Sequence, residues 1–240
     1  MFGICCAPEL FQKVMDTVVA GLEGVIVYLD DILVFGSSQK EHDERLEALM
    51  NRLKAYGVLL NLEKCLFSAD KLEFLGHELS SKGIKPMESR VLAIQQFREP
   101  ANAAELRSFL GLVTYVGRFI PHLATKSEPL RLLLRAGNKF VWTNKQKFAF
   151  DEIKRAICEI SYLGFFNVRD KSILIADASP SGLGAILLQE DVKGVRRIIA
   201  YASKSLTDLE RKYFKTEKRR WLWFGLLIDS SCIFKEAVSS

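Results

Sequence analysis

The 240-residue sequence lacks the cysteine and histidine pattern of a disulfide-stabilised or zinc-binding protein. Its five cysteines are odd in number, show no Cys-x-x-Cys spacing, and have none of the three histidines paired close to them. Thiolate ligands for zinc normally come in such closely spaced pairs, and disulfide frameworks normally use an even number of cysteines. The sequence therefore disfavours both a disulfide scaffold and a structural zinc site.

The sequence also has little that would direct it to a membrane or to secretion. Its N-terminus, MFGICCAPELFQ, has no positive charge ahead of an apolar segment, as a signal peptide would. The longest apolar candidate, WLWFGLLI at residues 221–228, is far shorter than the roughly 20 residues that span a bilayer. We expect a protein without membrane attachment that remains intracellular, in the cytoplasm or the nucleus.

Positive charge is concentrated in two parts of a chain whose net charge is only +5. Residues 101–160 carry ten Lys and Arg against five Asp and Glu, and residues 193–220 carry ten against three. Separate basic stretches of this kind indicate a polyanionic partner such as nucleic acid. The alternative is that they are ordinary solvated helix faces.

Periodicity predicts a mixed fold of the α+β class. Helices are predicted at residues 8–20 and 39–56, the latter with Leu46, Leu49, Met50 and Leu53 facing inward. The segments VIVY and ILVF predict a hairpin, VLLNL predicts a strand, and EFLGHELSSKGIKP predicts a second hairpin. After Pro86 the pattern becomes helical, with Asn102 and Thr143 as expected helix caps, and from about residue 172 it returns to strands.

The stretch VIVYLDDILVF places Asp30 and Asp31 between two apolar strands. Unpaired buried charge is costly, so these carboxylates must be solvated, paired or bound to cations. A solvated β-turn is one reading of the pair. Carboxylates at a rigid strand tip also suit a site that holds two Mg²⁺ ions for phosphoryl transfer.

The motif order along the chain resembles that of reverse transcriptases. YLDD is similar to their Tyr-x-Asp-Asp motif, and FGICCAPELFQ, NLEKC and EFLGHELSSKGIKP resemble the flanking motifs in the same order. Further segments, LRSFLGLVTYVGRFIP, FVWTNKQKFAFDEIK and ILIADASPSGLGAILLQ, resemble the thumb, connecting segment and ribonuclease H domain of gypsy-type LTR retrotransposon polyproteins. The resemblance extends over residues 1–221.

This resemblance implies roles for residues near the YLDD motif. Asp30 would be a ligand of the catalytic metal ions, Mg²⁺ or Mn²⁺, and Asp31 a second, weaker ligand. Tyr28 would lie under the primer end. Phe2 and Gly3 would contact the incoming nucleotide, where glycine lets the backbone approach closely.

Two further segments receive roles in the same way. Lys64 would protonate or neutralise the departing pyrophosphate, although a solvated lysine at a strand end is the plain alternative. Phe74, Leu75, Gly76 and His77 would hold the primer strand, although Phe74 and Leu75 are equally typical of a protein core. The implied partner is therefore an RNA or DNA primer–template.

The resemblance to ribonuclease H implies one more metal ligand. Asp177 would be the first metal-binding aspartate of that domain, and its alternative role is to cap a turn at the end of a strand. Arg219 stands where the resemblance predicts a catalytic glutamate. The palm aspartate that faces the Asp-Asp pair in the family has no counterpart in the sequence, so a missing N-terminal polymerase segment would have to act in trans.

These observations predict four regions. They are a reverse transcriptase palm segment at residues 1–79, a helical thumb and connection at 80–138, an incomplete ribonuclease H-like domain at 139–221, and an unmatched tail at 222–240. The predicted function is that of a fragment, from a truncated element copy, of a retrotransposon RNA-directed DNA polymerase. The alternative is a catalytically silent nucleic-acid-binding remnant or a non-functional pseudogene product.

Overall fold

A computed structural model describes residues 6–135, 137–179 and 182–207. The chain divides into two compact units between Ala69 and Asp70. The palm segment predicted at residues 1–79 therefore includes the first ten residues of the second unit. The structure does not describe Phe2, Gly3 or Arg219.

The first unit packs two helices against a two-stranded antiparallel hairpin. Its elements are α1 (Ala7–Val19), β1 (Val25–Tyr28), β2 (Asp31–Val34), α2 (Gln39–Ala55) and a 3₁₀ helix (Leu62–Lys64). Apolar residues at helical spacing on α1 and α2 meet the inner face of β1 to form a small core of Met15, Val18, Val25, Leu49 and Leu53. The predicted hairpin and both predicted helices are present.

Two expectations for this unit are wrong. Met50 does not face inward, because its side chain is 38% exposed. The segment VLLNL forms no strand and leads instead into the 3₁₀ helix, whose first turn is capped by the Asn61 side chain accepting from the Glu63 backbone N–H at 3.1 Å. Val58 and Leu60 still pack on the core, so the apolar pattern reflects burial without strand pairing.

The second unit begins with a three-stranded antiparallel sheet and continues into four helices. The strands are β3 (Lys71–Phe74), β4 (His77–Ser80) and β5 (Gly83–Pro86), so the predicted second hairpin has one strand more than expected. The helices are α3 (Glu88–Gln95), α4 (Ala103–Tyr115), α5 (Leu123–Leu132) and α6 (Asn144–Cys158), with a 3₁₀ turn (Gly117–Phe119) after α4.

Caps predicted from the sequence begin two of these helices. The Asn102 side chain accepts from the Glu105 N–H at 2.9 Å, and Thr143 forms a capping box with Gln146. Leu106, Phe109, Phe150 and Ile153 then meet in the largest core of the described residues. The helical part of this unit is therefore stabilised both at the helix ends and by apolar burial.

A second three-stranded antiparallel sheet follows the helices, in the order β6 (Lys171–Ala178), β7 (Gly182–Glu190) and β8 (Arg196–Ser205). The start of α5 lies against β7. A Cβ added at Gly182 would lie 3.2 Å from the Ala124 methyl group, and one at Gly184 would lie 3.0 Å from His122 Nδ1. Separate helices and antiparallel sheets confirm the α+β fold class. No helix among the described residues is long and apolar enough to cross a membrane.

Candidate functional site

The two adjacent aspartates lie at the tip of the β1–β2 hairpin. Leu29 and Asp30 form its two-residue turn, and Asp31 begins β2 opposite Tyr28. Both carboxylates are exposed, and the Tyr28 side chain beside them is 51% exposed. The hairpin thus places Tyr28, Asp30 and Asp31 together at one accessible end, as the sequence predicted.

This tip is fastened to helix α1 by a residue to which the sequence reasoning gave no role. Gln12 accepts a hydrogen bond from the Leu29 N–H at 2.6 Å and donates one to the Val27 carbonyl at 3.1 Å. Leu29 has a φ of 51°, a left-handed conformation that is unusual for a non-glycine residue. Gln12 therefore supports a strained turn next to the carboxylates.

The tip provides some, but not all, of the ligands of a divalent metal site. Carboxylate oxygens are the donors that Mg²⁺ prefers, and the neighbouring residues Asp30 and Asp31 each provide one carboxylate group. Within residues 6–135, 137–179 and 182–207, however, no group of three or more His, Cys, Asp or Glu side chains is placed to hold a metal ion. The described residues therefore fit part of a metal site.

Lys64 makes no contact of its own with the Asp30 and Asp31 side chains through a hydrogen bond or ion pair among the described residues. It is the last residue of the 3₁₀ helix, and its side chain is exposed. Among the described residues it has no side-chain hydrogen bond or ion pair, and so none to Asp30 or Asp31. The role of Lys64 in neutralising the departing pyrophosphate therefore stays a prediction.

The four residues expected to hold a primer form a second site, at the turn between β3 and β4. Leu75 and Gly76 make the turn with φ values of 50° and 72°, between the paired residues Phe74 and His77. The Leu75 side chain is 40% exposed at the turn, whereas Phe74 and His77 are partly buried. The Tyr115 hydroxyl at the end of α4 donates to the Leu75 carbonyl at 2.6 Å.

His77 lies in an environment that keeps its ring neutral. The imidazole stacks on Tyr115 at 5.4 Å between ring centroids and lies 5.5 Å from the Phe119 ring. Burial, reinforced by the positive charges of Arg118 and Arg90, lowers the pKa of His77 from 6.5 to about 4. Its Nδ1 atom is buried without a hydrogen-bond partner in the described part of the chain.

This environment predicts a loss of stability in mild acid. Because the pKa of His77 is lower in the folded state, the unfolded chain binds the proton first, and stability falls as pH drops from 6.5 to about 4. For a partly exposed ring the loss is on the order of 2 kcal/mol. Urea unfolding at several pH values should show this slope in the wild type and a shallower one in His77→Phe, where only the carboxylates contribute.

His42→Gln is the matched control, because His42 pairs with Asp43 at 2.9 Å on α2, in the first unit and away from His77. This variant should keep the acid slope. A His77→Phe protein that loses stability as steeply as the wild type between pH 6.5 and 4.5 would contradict the assignment.

A basic groove lies between α4 and α5. Its volume is about 300 Å³, and three of its lining residues are arginines: Arg107, Leu110, Gly111, Thr114, Arg131, Leu134 and Arg135. Arg131 donates from Nε to the buried Ser127 hydroxyl at 3.0 Å, which fixes the direction of its guanidinium. Part of the basic composition of residues 101–160 is thus gathered in three arginines around one groove.

Asp177 lies near the end of β6, directly opposite Gly184 on β7, which in turn pairs with Ser203 on β8. Residues paired in this way project from the same face of an antiparallel sheet. The Asp177 side chain is exposed, and the Ser203 hydroxyl accepts from the Ala124 N–H at 2.7 Å. The assignment of Asp177 as a metal ligand stays a prediction.

Comparison with known protein families finds matches for two parts of the chain. Residues 1–79 match the family model described as reverse transcriptase (RNA-dependent DNA polymerase). Residues 142–221 match the model described as an RNase H-like domain found in reverse transcriptase. The chain therefore carries reverse transcriptase and ribonuclease H-like sequence. The reverse transcriptase match extends past the first compact unit and includes the β3–β4 turn.

Curated relatives of this reverse transcriptase region are retrotransposon polyproteins. The Transposon Tf2-3 polyprotein of Schizosaccharomyces pombe is 31% identical over 219 residues, which is 90% of this chain and 16% of the relative. The Tf2-7 polyprotein of the same organism is 30% identical over the same shares. The predicted resemblance to a retrotransposon polyprotein is confirmed, and the chain spans about a sixth of the length of these relatives.

Solved structures with a similar fold include foamy viral protease-reverse transcriptases. The one in complex with dsDNA superposes with a TM-score of 0.82 at 26% identity, over 97% of this chain and 49% of that chain. The one in complex with an RNA/DNA hybrid has a TM-score of 0.81 at 26% identity, over 96% and 31%. The mixed helix and sheet architecture described above is thus similar to that of these protease-reverse transcriptases.

Proposed function

We propose that this chain acts as part of an RNA-directed DNA polymerase and binds a primer–template duplex. The single observation that carries the proposal is the exposed Asp30 and Asp31 pair, held at a two-residue turn that Gln12 fastens to α1. The foamy viral proteins with a similar fold are described in complex with dsDNA and with an RNA/DNA hybrid, which supports a duplex as the partner.

The reverse transcriptase family implies a divalent metal ion, and Asp30 and Asp31 are the residues of this chain that would hold it. Bound there, Mg²⁺ or Mn²⁺ would activate the attacking primer hydroxyl and neutralise the transferred phosphate. Since the described residues provide only part of a ligand set, the proposal includes a further polymerase segment that supplies another carboxylate in trans. As part of this proposal, we assign the roles implied by the resemblance to Tyr28, Lys64, Phe2 and Gly3.

Duplex binding is assigned to the second unit. The β3–β4 turn would contact the primer strand, and the groove between α4 and α5 would contact phosphates through Arg107 and Arg131. Arginine suits this task because its guanidinium donates two parallel hydrogen bonds to one phosphate. For Asp177, we propose the role of a metal ligand in the ribonuclease H-like domain.

A second candidate function is binding without catalysis. It is favoured by the incomplete ligand set among the described residues, which makes the metal site only partial. The surfaces proposed to bind nucleic acid do not depend on that site. Both candidates predict duplex binding. They differ in whether adding a palm segment restores primer extension.

Duplex binding itself is tested by fluorescence anisotropy with a labelled primer–template. We expect affinity to fall about 10²-fold between about 50 and 200 mM salt, because a few neutralised phosphates release their counterions. Arg107→Ala should make the dependence of log K on log salt shallower by about one unit, since the exposed Arg107 would neutralise about one phosphate.

Arg169→Ala is the control, because Arg169 is also exposed but does not line the groove. It should leave the salt dependence unchanged. Affinity that does not vary with salt, or an equal effect of both variants, would contradict the assignment of the groove.

A further inference from the structure

The turn between β3 and β4 has a backbone that its own sequence does not stabilise. Both Leu75 and Gly76 are left-handed, and this conformation is unfavourable for leucine. The Leu75 side chain is 40% exposed, so burial of that side chain contributes little to fixing the turn. A contact from another element would therefore add to the β3–β4 pairing in fixing this backbone.

Tyr115, the last residue of α4, makes that contact. Its hydroxyl donates to the Leu75 carbonyl at 2.6 Å, and its ring stacks on His77 with 18° between the ring planes. The Arg90 guanidinium of α3 lies 4.3 Å from the centre of the same ring, at cation–π distance. One side chain thus binds the turn, the first residue of β4 and helix α3.

The turn and the tyrosine are also complementary in shape. A Cβ at Gly76 would overlap the Tyr115 hydroxyl and lie 3.2 Å from its Cζ atom. The close approach of Tyr115 therefore requires glycine at this position, in addition to its positive φ.

Helix α4 connects this contact to the basic groove. Arg107, Gly111 and Thr114 line the groove at helical spacing, and Tyr115 follows directly after Thr114. Thr114 and Tyr115 therefore bring one edge of the groove and the turn contact to the same C-terminal end of α4, on faces of the helix about 100° apart.

We propose that Tyr115 is a positioning residue that sets the β3–β4 turn in the orientation in which it receives the primer end. This proposal rests on the proposed function, because it assumes that the turn contacts a primer. Tyr115 acts through the Leu75 carbonyl and the His77 ring, and its hydroxyl is the group on which the orientation depends.

The test compares Tyr115→Phe with Tyr162→Phe in the full chain. Tyr162 is a matched control because its hydroxyl also donates to the same sheet, to Glu78 Oε1 at 2.8 Å, but does not contact the turn. Tyr115→Phe should weaken primer–template binding about fivefold, as expected for one hydrogen bond. Amide hydrogen exchange at Leu75, Gly76 and His77 should accelerate in Tyr115→Phe alone.

A fluorescence readout separates positioning from general destabilisation. With 2-aminopurine at the primer 3′ end and protein at saturation, Tyr115→Phe should change the fluorescence and Tyr162→Phe should not. Gly76→Ala should weaken binding less in the Tyr115→Phe background than in the wild type, because the overlapping hydroxyl is gone.

Each failure has a distinct result. Wild-type protein that binds no duplex overturns the proposed function, while the exchange measurement still reports whether Tyr115 holds the turn. Equal exchange rates, equal fluorescence and additive effects of Gly76→Ala and Tyr115→Phe would overturn the positioning role.

Discussion

Primer extension on a homopolymer template should give no templated product with this chain alone, and product should appear when an N-terminal palm segment of a related polyprotein is co-expressed. Two-metal phosphoryl transfer needs more carboxylate ligands than Asp30 and Asp31 provide, because two close cations repel each other unless bridging oxygens compensate their charge. The described residues contain no third ligand placed with this pair.

Within the reconstituted assembly, Asp30→Asn should lower the rate about 10³-fold, because the amide keeps the shape of the side chain but removes its charge. Asp31→Asn should have a smaller effect. Asp70→Asn is the matched control, since Asp70 is exposed and lies outside every proposed site. Product formed by the chain alone and abolished by Asp30→Asn would show that no second segment is needed.

Phe150→Ala should destabilise the second unit by about 3 to 5 kcal/mol, the usual cost of removing a buried phenylalanine ring. Phe150 is 2% exposed, and its ring lies 4.5 Å from Phe109 and 6.0 Å from Trp142. Truncation therefore leaves a cavity in the largest core among the described residues and removes two aromatic contacts.

Urea unfolding followed by tryptophan fluorescence measures this effect, because all three tryptophans in the sequence come after residue 69. Phe148→Ala is the control: Phe148 lies on the same helix but is 63% exposed, so its loss should change stability by less than about 1 kcal/mol. Similar midpoints for both variants would mean that the helical core does not determine the stability of this unit.

The hairpin at Asp30 and Asp31 could be predicted because its determinants are local. Two β-branched strands flank a pair of turn residues, and that pattern allows few alternatives. The caps at Asn102 and Thr143 were likewise predicted from residues within three positions of each helix start. These parts of the fold depend on interactions between near neighbours in sequence.

The features that sequence reasoning missed depend on distant contacts. Gln12 meets Leu29 across 17 positions, and Tyr115 meets Leu75 across 40. The only available signal for Gln12 was its place at the end of the FGICCAPELFQ motif. A strand at VLLNL was predicted from apolar character alone, and such a run cannot show whether a partner strand exists.

The two glycines of the SGLGAILL segment have a consequence for how the motif is interpreted. Gly182 and Gly184 leave room for Ala124 and His122, so these two glycines mark the place where the start of α5 packs on the sheet. The presence of these glycines is therefore explained by helix docking and is not by itself evidence for metal binding at Asp177. A relative that keeps both glycines but lacks the aspartate should still dock its helix on the sheet, whereas one with a bulky residue at position 184 should shift that helix while its aspartate stays in place.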